Sequence, residues 1–291
     1  MSSNSPTVHT IVRLFLLDRQ ARGLSPYTIR WYKQQLAHLA RFVGETPMNR
    51  VSPEHLRRFL VDFAQSHNPG GVHGAYRATR ALFRWCAEEY GIEDPTRKVS
   101  APRVPDEPLE PVPLETVKAL LKTCDVDFVG DRDRAILLTL LDTGLRRGEL
   151  LDLDVDDVDL EGGVIRVRGK GGKWRSVFVG NITTAAILRW LGHRELEGPL
   201  WLDNRGKRLS YDALRGMLRR RAKRAGVQPP TPHMFRRAFA LAVLRNGGDL
   251  ISLQRLLGHS SLAVLERYLK QVDDDLRTIH QRARPVDSAL K

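Results

Sequence analysis

Cysteine is nearly absent, with Cys86 and Cys124 the only two in 291 residues. They stand far apart, which excludes a CxxC redox pair and any zinc site built on several thiolates, and leaves an intracellular, reduced protein as the expectation. No apolar run approaches the roughly 18 residues of a membrane span. The start, Met1-Ser-Ser-Asn-Ser-Pro, lacks the basic and apolar regions of a secretory signal. A soluble, cytoplasmic protein with no membrane partner is expected. Acidic residues are in deficit, 34 Asp and Glu against 47 Lys and Arg, for a net charge of +13. The excess is shared, net +5 over residues 1–108 and +8 over the remainder. A basic balance spread over a whole chain favours a phosphate-rich partner, nucleic acid ahead of an anionic membrane surface.

The length suits two domains of ordinary size, each able to bury a core. Proline recurs through Ala101-Pro-Arg-Val-Pro-Asp-Glu-Pro-Leu-Glu-Pro-Val-Pro113, a composition that excludes helix and favours an extended, semi-rigid connector. The boundary is placed near 108, with linker 101–113, a domain over 1–108 and another over 109–291. Before the linker the sequence reads helical. Ser25-Pro26 is an N-cap followed by proline at the first helical position, Ile29, Tyr32, Leu36, Leu39 and Val43 form an apolar stripe, and Gly44 stops the helix. Ser52-Pro53 repeats the start signal ahead of Leu56, Phe59, Leu60 and Phe63. A third helix is predicted after Gly74, with Arg77, Arg80 and Arg84 within about 60° of one another on its wheel, a stripe suited to DNA phosphates.

After the linker, helices are predicted over 114–122, 131–141, 183–196, 211–225, 233–246, 249–257 and 261–271, with a short one from Arg146. Two β-prone runs within Val164–Val179 flank the glycine-rich Gly169-Lys-Gly-Gly-Lys173 and predict a hairpin with Lys170 at its tip. The fold class expected is mostly α with a small antiparallel sheet. In the 211–225 helix, Arg215, Arg219 and Lys223 form a basic stripe beside Leu214, Leu218, Ala222 and Ala225. The glycine-rich turn lacks the spacing of a nucleotide phosphate loop and opens no helix, so ATP is not expected. The acidic run Asp152–Asp159 fails as a calcium loop, since Asp157 occupies the position that requires glycine and Gly163 the one that requires glutamate. No metal or other cofactor is expected.

Arg146, Lys170, His233, Arg236 and His259 precede Tyr268 in order, and together they suit attack of a phenol on a phosphodiester. A phenol with a pKa of about 10 is almost wholly protonated at neutral pH, so it needs a proton acceptor and cations to hold the developing charge. Guanidinium forks match non-bridging phosphate oxygens with paired hydrogen bonds, the role given to Arg146 and Arg236. His233, three residues before Arg236, shares its helical face and joins it at the phosphate. Lys170 on a flexible turn is placed to protonate the leaving 5′ oxygen, with Lys173 in reserve. Glu149, three residues after Arg146, orients a neighbouring basic side chain.

These residues resemble the tyrosine recombinase, or phage integrase, family, and the layout is closest to its short two-domain Xer-type members. The resemblance rests on Thr143-Gly-Leu-Arg146-Arg-Gly-Glu149-Leu, Gly169-Lys170-Gly171, Thr231-Pro-His233-Met-Phe-Arg236, and Leu256-Leu-Gly-His259 through Tyr268. The sequence departs from the family's usual pattern at Gly148, at Val264 and Leu265, and at Lys270; none of these removes a charged catalytic group. The resemblance implies an N-terminal helical core-binding, SAM-like domain and a C-terminal catalytic domain forming a C-shaped clamp around DNA. It implies catalytic roles for Arg146, Lys170, His233, Arg236, His259 and Tyr268, His259 bonding the phosphate. Site-specific recombination would then proceed through a 3′-phosphotyrosine and a Holliday junction without ATP or metal, in a homotetramer on two DNA sites with inverted repeats. An accessory or activator protein would fit such a system. After Tyr268, Val272, Leu276, Ile279 and Ala283 make another apolar stripe, and the C-terminal helix, placed over 273–284, is expected to dock into a neighbouring protomer. The competing readings are a type IB topoisomerase, a metal nuclease, and a catalytically silent DNA-binding regulator. Integration or excision, transposon resolution and chromosome dimer resolution all remain open as biological roles.

Overall fold

Polar residues placed just ahead of proline set where three of the first four helices begin. In the computed structural model, which describes residues 6–105, 110–169 and 172–258, the chain divides into two compact units, Met1–Glu107 and Pro108–Lys291. The first holds α1 (Val8–Ala21), α2 (Pro26–Val43), α3 (Pro53–Ala64) and α4 (Pro69–Tyr90). Ser25, Ser52 and Asn68 cap the last three, each followed by proline at a position whose missing N–H costs the helix nothing. Their apolar stripes meet in one core around Ile11, Phe15, Leu36, Leu39, Phe59 and Leu82. α1 occupies a stretch for which the sequence patterns above gave no element.

The third predicted helix needs correction. It starts not after Gly74 but at Pro69, because the Asn68 side chain accepts the Gly71 N–H at 2.8 Å and Pro69 fixes the first turn. The cap carries Gly70, Gly71 and Gly74 into the helix despite their poor propensity. The chain beyond α4 is held to it: Tyr76 donates to the Val99 carbonyl at 3.0 Å, and His73 Nδ1 lies 3.0 Å from the Pro102 carbonyl.

The second unit comprises α5 (Leu114–Lys122), α6 (Phe128–Thr143), α7 (Arg147–Asp152), the strands β1 (Val158–Asp159), β2 (Val164–Arg168) and β3 (Trp174–Phe178), then α8 (Asn181–Leu191), α9 (Tyr211–Ala225), α10 (Pro232–Arg245) and α11 (Leu250–Leu257). The sheet is antiparallel in the order β1-β2-β3, with Ile165 opposite Val177 and Val167 opposite Arg175. Ile165, Val167 and Val177 turn inward to the core that surrounds α6, a helix buried on most of its faces. The mostly α architecture with a small antiparallel sheet is the one expected. β1 was not, since two residues are too short for a periodic signal.

α8 ends at Leu191 rather than at 196, because Arg194 turns back to donate to the Leu200 carbonyl at 3.1 Å and Trp190 Nε1 donates to the same oxygen at 2.8 Å. Within α6, the buried Asp133 accepts Arg132 Nη2 at 2.7 Å on one oxygen and Arg221 Nε at 2.8 Å on the other. Arg221, on α9 but outside its basic stripe, thus serves the core. Cys86 and Cys124 are free and buried; burial pushes the Cys86 thiol up to about 12 and also raises that of Cys124. Among the described residues no helix is long and apolar enough to cross a membrane.

Candidate active site

The first motif, Thr143–Leu150, here called box one, begins where α6 stops. Gly144 ends that helix at φ +59°, a conformation that favours glycine, and a Cβ there would sit 2.6 Å from Phe239 Cδ1. Its carbonyl accepts Arg236 Nη1 at 2.7 Å. Arg146 then stands at the N-cap of α7, and Glu149 reaches back to accept its backbone N–H and its guanidinium Nη1, both at 2.8 Å. The carboxylate thus caps the Arg146 N–H as the N3 acid of a capping box does, and the helix N-terminus also favours it.

Arg236 comes from the second turn of α10 and is 4% exposed, so it is fixed by burial as well as by hydrogen bonds. Its Nη2 donates to the Leu257 carbonyl at 2.7 Å, and Arg146 Nη1 shares that acceptor at 3.3 Å. Arg146 Nη2 donates to the Gly258 carbonyl at 3.1 Å. Both guanidinium groups therefore gather at the C-terminal carbonyls of α11, where the helix dipole is negative. Two guanidinium groups brought to one oxygen concentrate positive charge there, which suits an anion.

His233, at the start of α10, is exposed, yet surrounding protein lowers its pKa by desolvation, followed by the like charges of Arg236, Arg237, Arg147 and Arg146. Burial and the neighbouring guanidinium charges both favour the uncharged imidazole. Arg146, His233 and Arg236 are thus brought together, while Lys170, His259 and Tyr268 lie outside the described residues. Between β2 and β3 the described residues turn, Gly169 N–H donating to the Lys173 carbonyl at 2.8 Å and Gly172 N–H to the Gly169 carbonyl at 3.1 Å. A Cβ on Gly169 would lie 3.9 Å from Glu149 Oε1, so the base of that turn adjoins box one.

The Phage integrase family model matches residues 112–274, and the model of its N-terminal SAM-like domain matches residues 14–89. The chain is 31% identical over 277 residues to tyrosine recombinase XerC of Pseudomonas aeruginosa PAO1, covering 92% of this chain and 91% of that one. This chain belongs to the tyrosine recombinases of the phage integrase family. Among solved structures, the Tn1549 transposon integrase in complex with a circular intermediate DNA superposes at TM-score 0.75 with 21% identity, covering 96% of the recombinase and 99% of the integrase. The XerH site-specific recombinase, bound to its palindromic difH substrate in a post-cleavage complex, gives TM-score 0.68 and 21% identity over 91% of this chain and 81% of that one. At such identities these two likenesses speak to fold.

One residue that holds this cluster was missed from sequence. Arg175 of β3 is 13% exposed and holds Glu149 in a fork, Nη1 to Oε1 and Nη2 to Oε2, each at 2.9 Å. Its Nε donates to the Leu256 carbonyl at 2.9 Å. Strand alternation carried the signal, because Arg175 shares the inward face with Val177. Burial alone would raise the Glu149 carboxyl, but hydrogen bonds from Arg175 and the Arg146 backbone, with both guanidinium charges, hold it below the ordinary value.

The basic stripes are exposed in their own units: Arg77, Arg80 and Arg84 on α4, Arg215, Arg219 and Lys223 on α9. Arg84 also bonds Glu88 at 3.3 Å. Arg147 lies over the ring of Tyr211 at 4.1 Å, and Arg215 and Arg219 line a cleft with Pro229, Pro230, Thr231 and Pro232. That cleft leads directly to His233 in sequence. In the acidic run, Asp157 accepts the Asp154 N–H at 3.0 Å, Asp154 pairs with Arg208, and Asp159 accepts the Gly162 N–H at 2.9 Å. Those carboxylates shape their own turns. Among the described residues no group of three or more His, Cys, Asp or Glu could hold a metal ion.

Proposed function

We propose that the recombinase cuts and rejoins duplex DNA at a specific site through a 3′-phosphotyrosine on Tyr268. The observation that supports this best is the convergence of Arg146 and Arg236, shared on the Leu257 carbonyl, with neutral His233 beside them. The two guanidinium groups take the non-bridging oxygens as negative charge develops there. Neutral His233 is in the protonation state to hydrogen-bond the phosphate and to accept the phenolic proton. The Tyr268 oxygen bonds to phosphorus as the bond to the 5′ oxygen breaks, and Lys170 protonates that leaving oxygen. His259 adds a further hydrogen bond to the phosphate. The phosphotyrosine conserves the energy of the broken bond, so neither ATP nor a metal is called on, and a 5′ hydroxyl from the same or another strand reverses the step.

The partner is duplex DNA bearing inverted repeats, a reading supported by the palindromic substrate named for XerH. Arg77, Arg80, Arg84, Arg215, Arg219 and Lys223 supply phosphate contacts. The working assembly is a homotetramer on two sites that passes through a Holliday junction. A largely apolar cleft of about 940 Å³, lined by residues including Val112, Leu114, Leu141, Ile182 and Phe239, suits the stripe of Val272, Leu276, Ile279 and Ala283 from a neighbour. Similarity to recombinases named XerC favours chromosome dimer resolution among the biological roles.

The test is selection of covalent protein–DNA complexes from a random library of nicked duplexes, in EDTA without ATP, beside Tyr268→Phe. Tyrosine-dependent capture supports the reading and yields the site, while DNA bound but never captured refutes it in favour of a regulator. Exchange between two labelled duplexes then separates a recombinase from a topoisomerase.

A further inference from the structure

We propose that Arg175 is a positioning residue that locks the Lys170 hairpin to box one and to the chain entering the His259–Tyr268 segment; this rests on the reading of function above. Arg175 follows Lys170 by five positions on the descending strand of the same hairpin. Its three nitrogens reach two other motif-bearing elements: Nη1 and Nη2 take both oxygens of Glu149, and Nε takes the carbonyl of Leu256 near the end of α11. A planar fork presents a parallel donor pair and a third donor in one fixed geometry, which the compact ammonium of a lysine does not reproduce.

The surroundings are cut to fit this side chain. A Cβ on Gly258 would stand 3.1 Å from Arg175 Nε, and one on Gly169 would stand 3.4 Å from Nη1. Gly258 also takes φ +63°, so both shape and backbone favour glycine where the guanidinium passes beneath the end of α11.

Charge supplies a second reason. Glu149 paired with Arg146 alone would cancel the cation that the phosphate is to meet. With Arg175 on the same carboxylate, the cluster of two guanidinium groups and one carboxylate keeps a net positive charge, and Arg146, 35% exposed, is its outward-facing member. Arg175 itself lies inward on carbonyl and carboxylate oxygens, so its effect is indirect.

Because Arg175 acts through the placement of Lys170, its loss should matter most where proton donation to the leaving oxygen matters. The experiment compares single-turnover covalent capture by the full chain, Tyr268→Phe, Arg175→Ala and Arg175→Lys on a nicked duplex of the selected site. The scissile 5′ bridging atom is either oxygen or sulfur. A thiol has a pKa of about 8.5 and departs as thiolate without a proton donor. Both Arg175 variants are expected to bind DNA within about twofold of the parent and to capture the oxygen substrate about a hundredfold more slowly, the scale of a misplaced catalytic group. Most of that deficit should vanish with sulfur. Equal slowing on both substrates, or none on oxygen, overturns the proposal. Should the alanine variant not fold, Arg175→Lys keeps the charge and carries the same comparison. Absence of Tyr268-dependent capture by the parent chain on both substrates would instead overturn the underlying reading, and this proposal with it.

Discussion

Replacing Glu149 by glutamine changes almost nothing in shape and removes a charge on which four hydrogen bonds converge. The Arg146 N–H and Nη1 reach it at 2.8 Å and the Arg175 fork at 2.9 Å, with the carboxylate side chain only 7% exposed. The amide oxygen of the substituted side chain would keep the donors on one side, but its NH₂ would face the other two. Losing two charge-assisted hydrogen bonds costs about 3–6 kcal/mol, and because Arg146 is partly solvated the lower end applies, about 3 kcal/mol. For a unit of this size that corresponds to about 6–12 °C in melting temperature. The pH dependence is sharper evidence than the size. The folded protein holds the Glu149 pKa below its ordinary 4.5, so its stabilisation is full above that value and is lost as pH falls through the lower, folded one. Urea unfolding of parent and Glu149→Gln from pH 7 to pH 3 should therefore show a gap that is widest at neutrality and narrows in acid. A gap that stayed constant across that range would show that the carboxylate's charge is not what holds Arg146 and Arg175 in place.

Gly144→Ala should destabilise the second unit by about 2–3 kcal/mol through its left-handed backbone and overpacking, and should slow capture by displacing the carbonyl that holds Arg236; unchanged thermal unfolding would refute the crowding seen against Phe239. Alanine at Arg77, Arg80 and Arg84 together should flatten the slope of log affinity against log salt by about 2.7 if each meets a phosphate, and an unaltered slope would remove that stripe from the interface. The His233 pKa, lowered in the free protein, should rise when phosphate enters the site, so binding takes up a proton and tightens as pH falls through the window between the two values. NMR titration of the imidazole with and without DNA checks this, and an unmoved pKa would place His233 away from the phosphate.

Much of the fold is legible because local signals agree with burial. α5 and α9 occupy the ranges their periodicity predicts, and Ser25-Pro26 and Ser52-Pro53 begin α2 and α3. Misreadings fall where a side chain overrules propensity, as Asn68 does for the glycines of α4 and Arg194 does in turning the chain back after α8. Arg146, His233 and Arg236 stand out by motif, but which oxygens fix them is decided by tertiary contacts. The Gly144, Leu257 and Gly258 carbonyls have no signature in a sequence because every residue offers one. Arg175 and Arg221 look like ordinary members of basic segments, and only the inward face of their elements distinguishes them. Lys170, His259 and Tyr268 lie outside the described residues, so their roles stand on motif and chemistry.

The two sequestered thiols have a practical consequence for observing the enzyme at work. With Cys86 and Cys124 buried and weakly ionised, maleimide chemistry should pass them by, since the thiolate is the reactive form. Cysteines introduced at exposed Ser66 and Glu161, one in each unit, would then take a fluorophore pair without any need to strip the native ones. Energy transfer between those dyes would follow the distance between the units as the protein meets its site, molecule by molecule and in an otherwise unaltered chain.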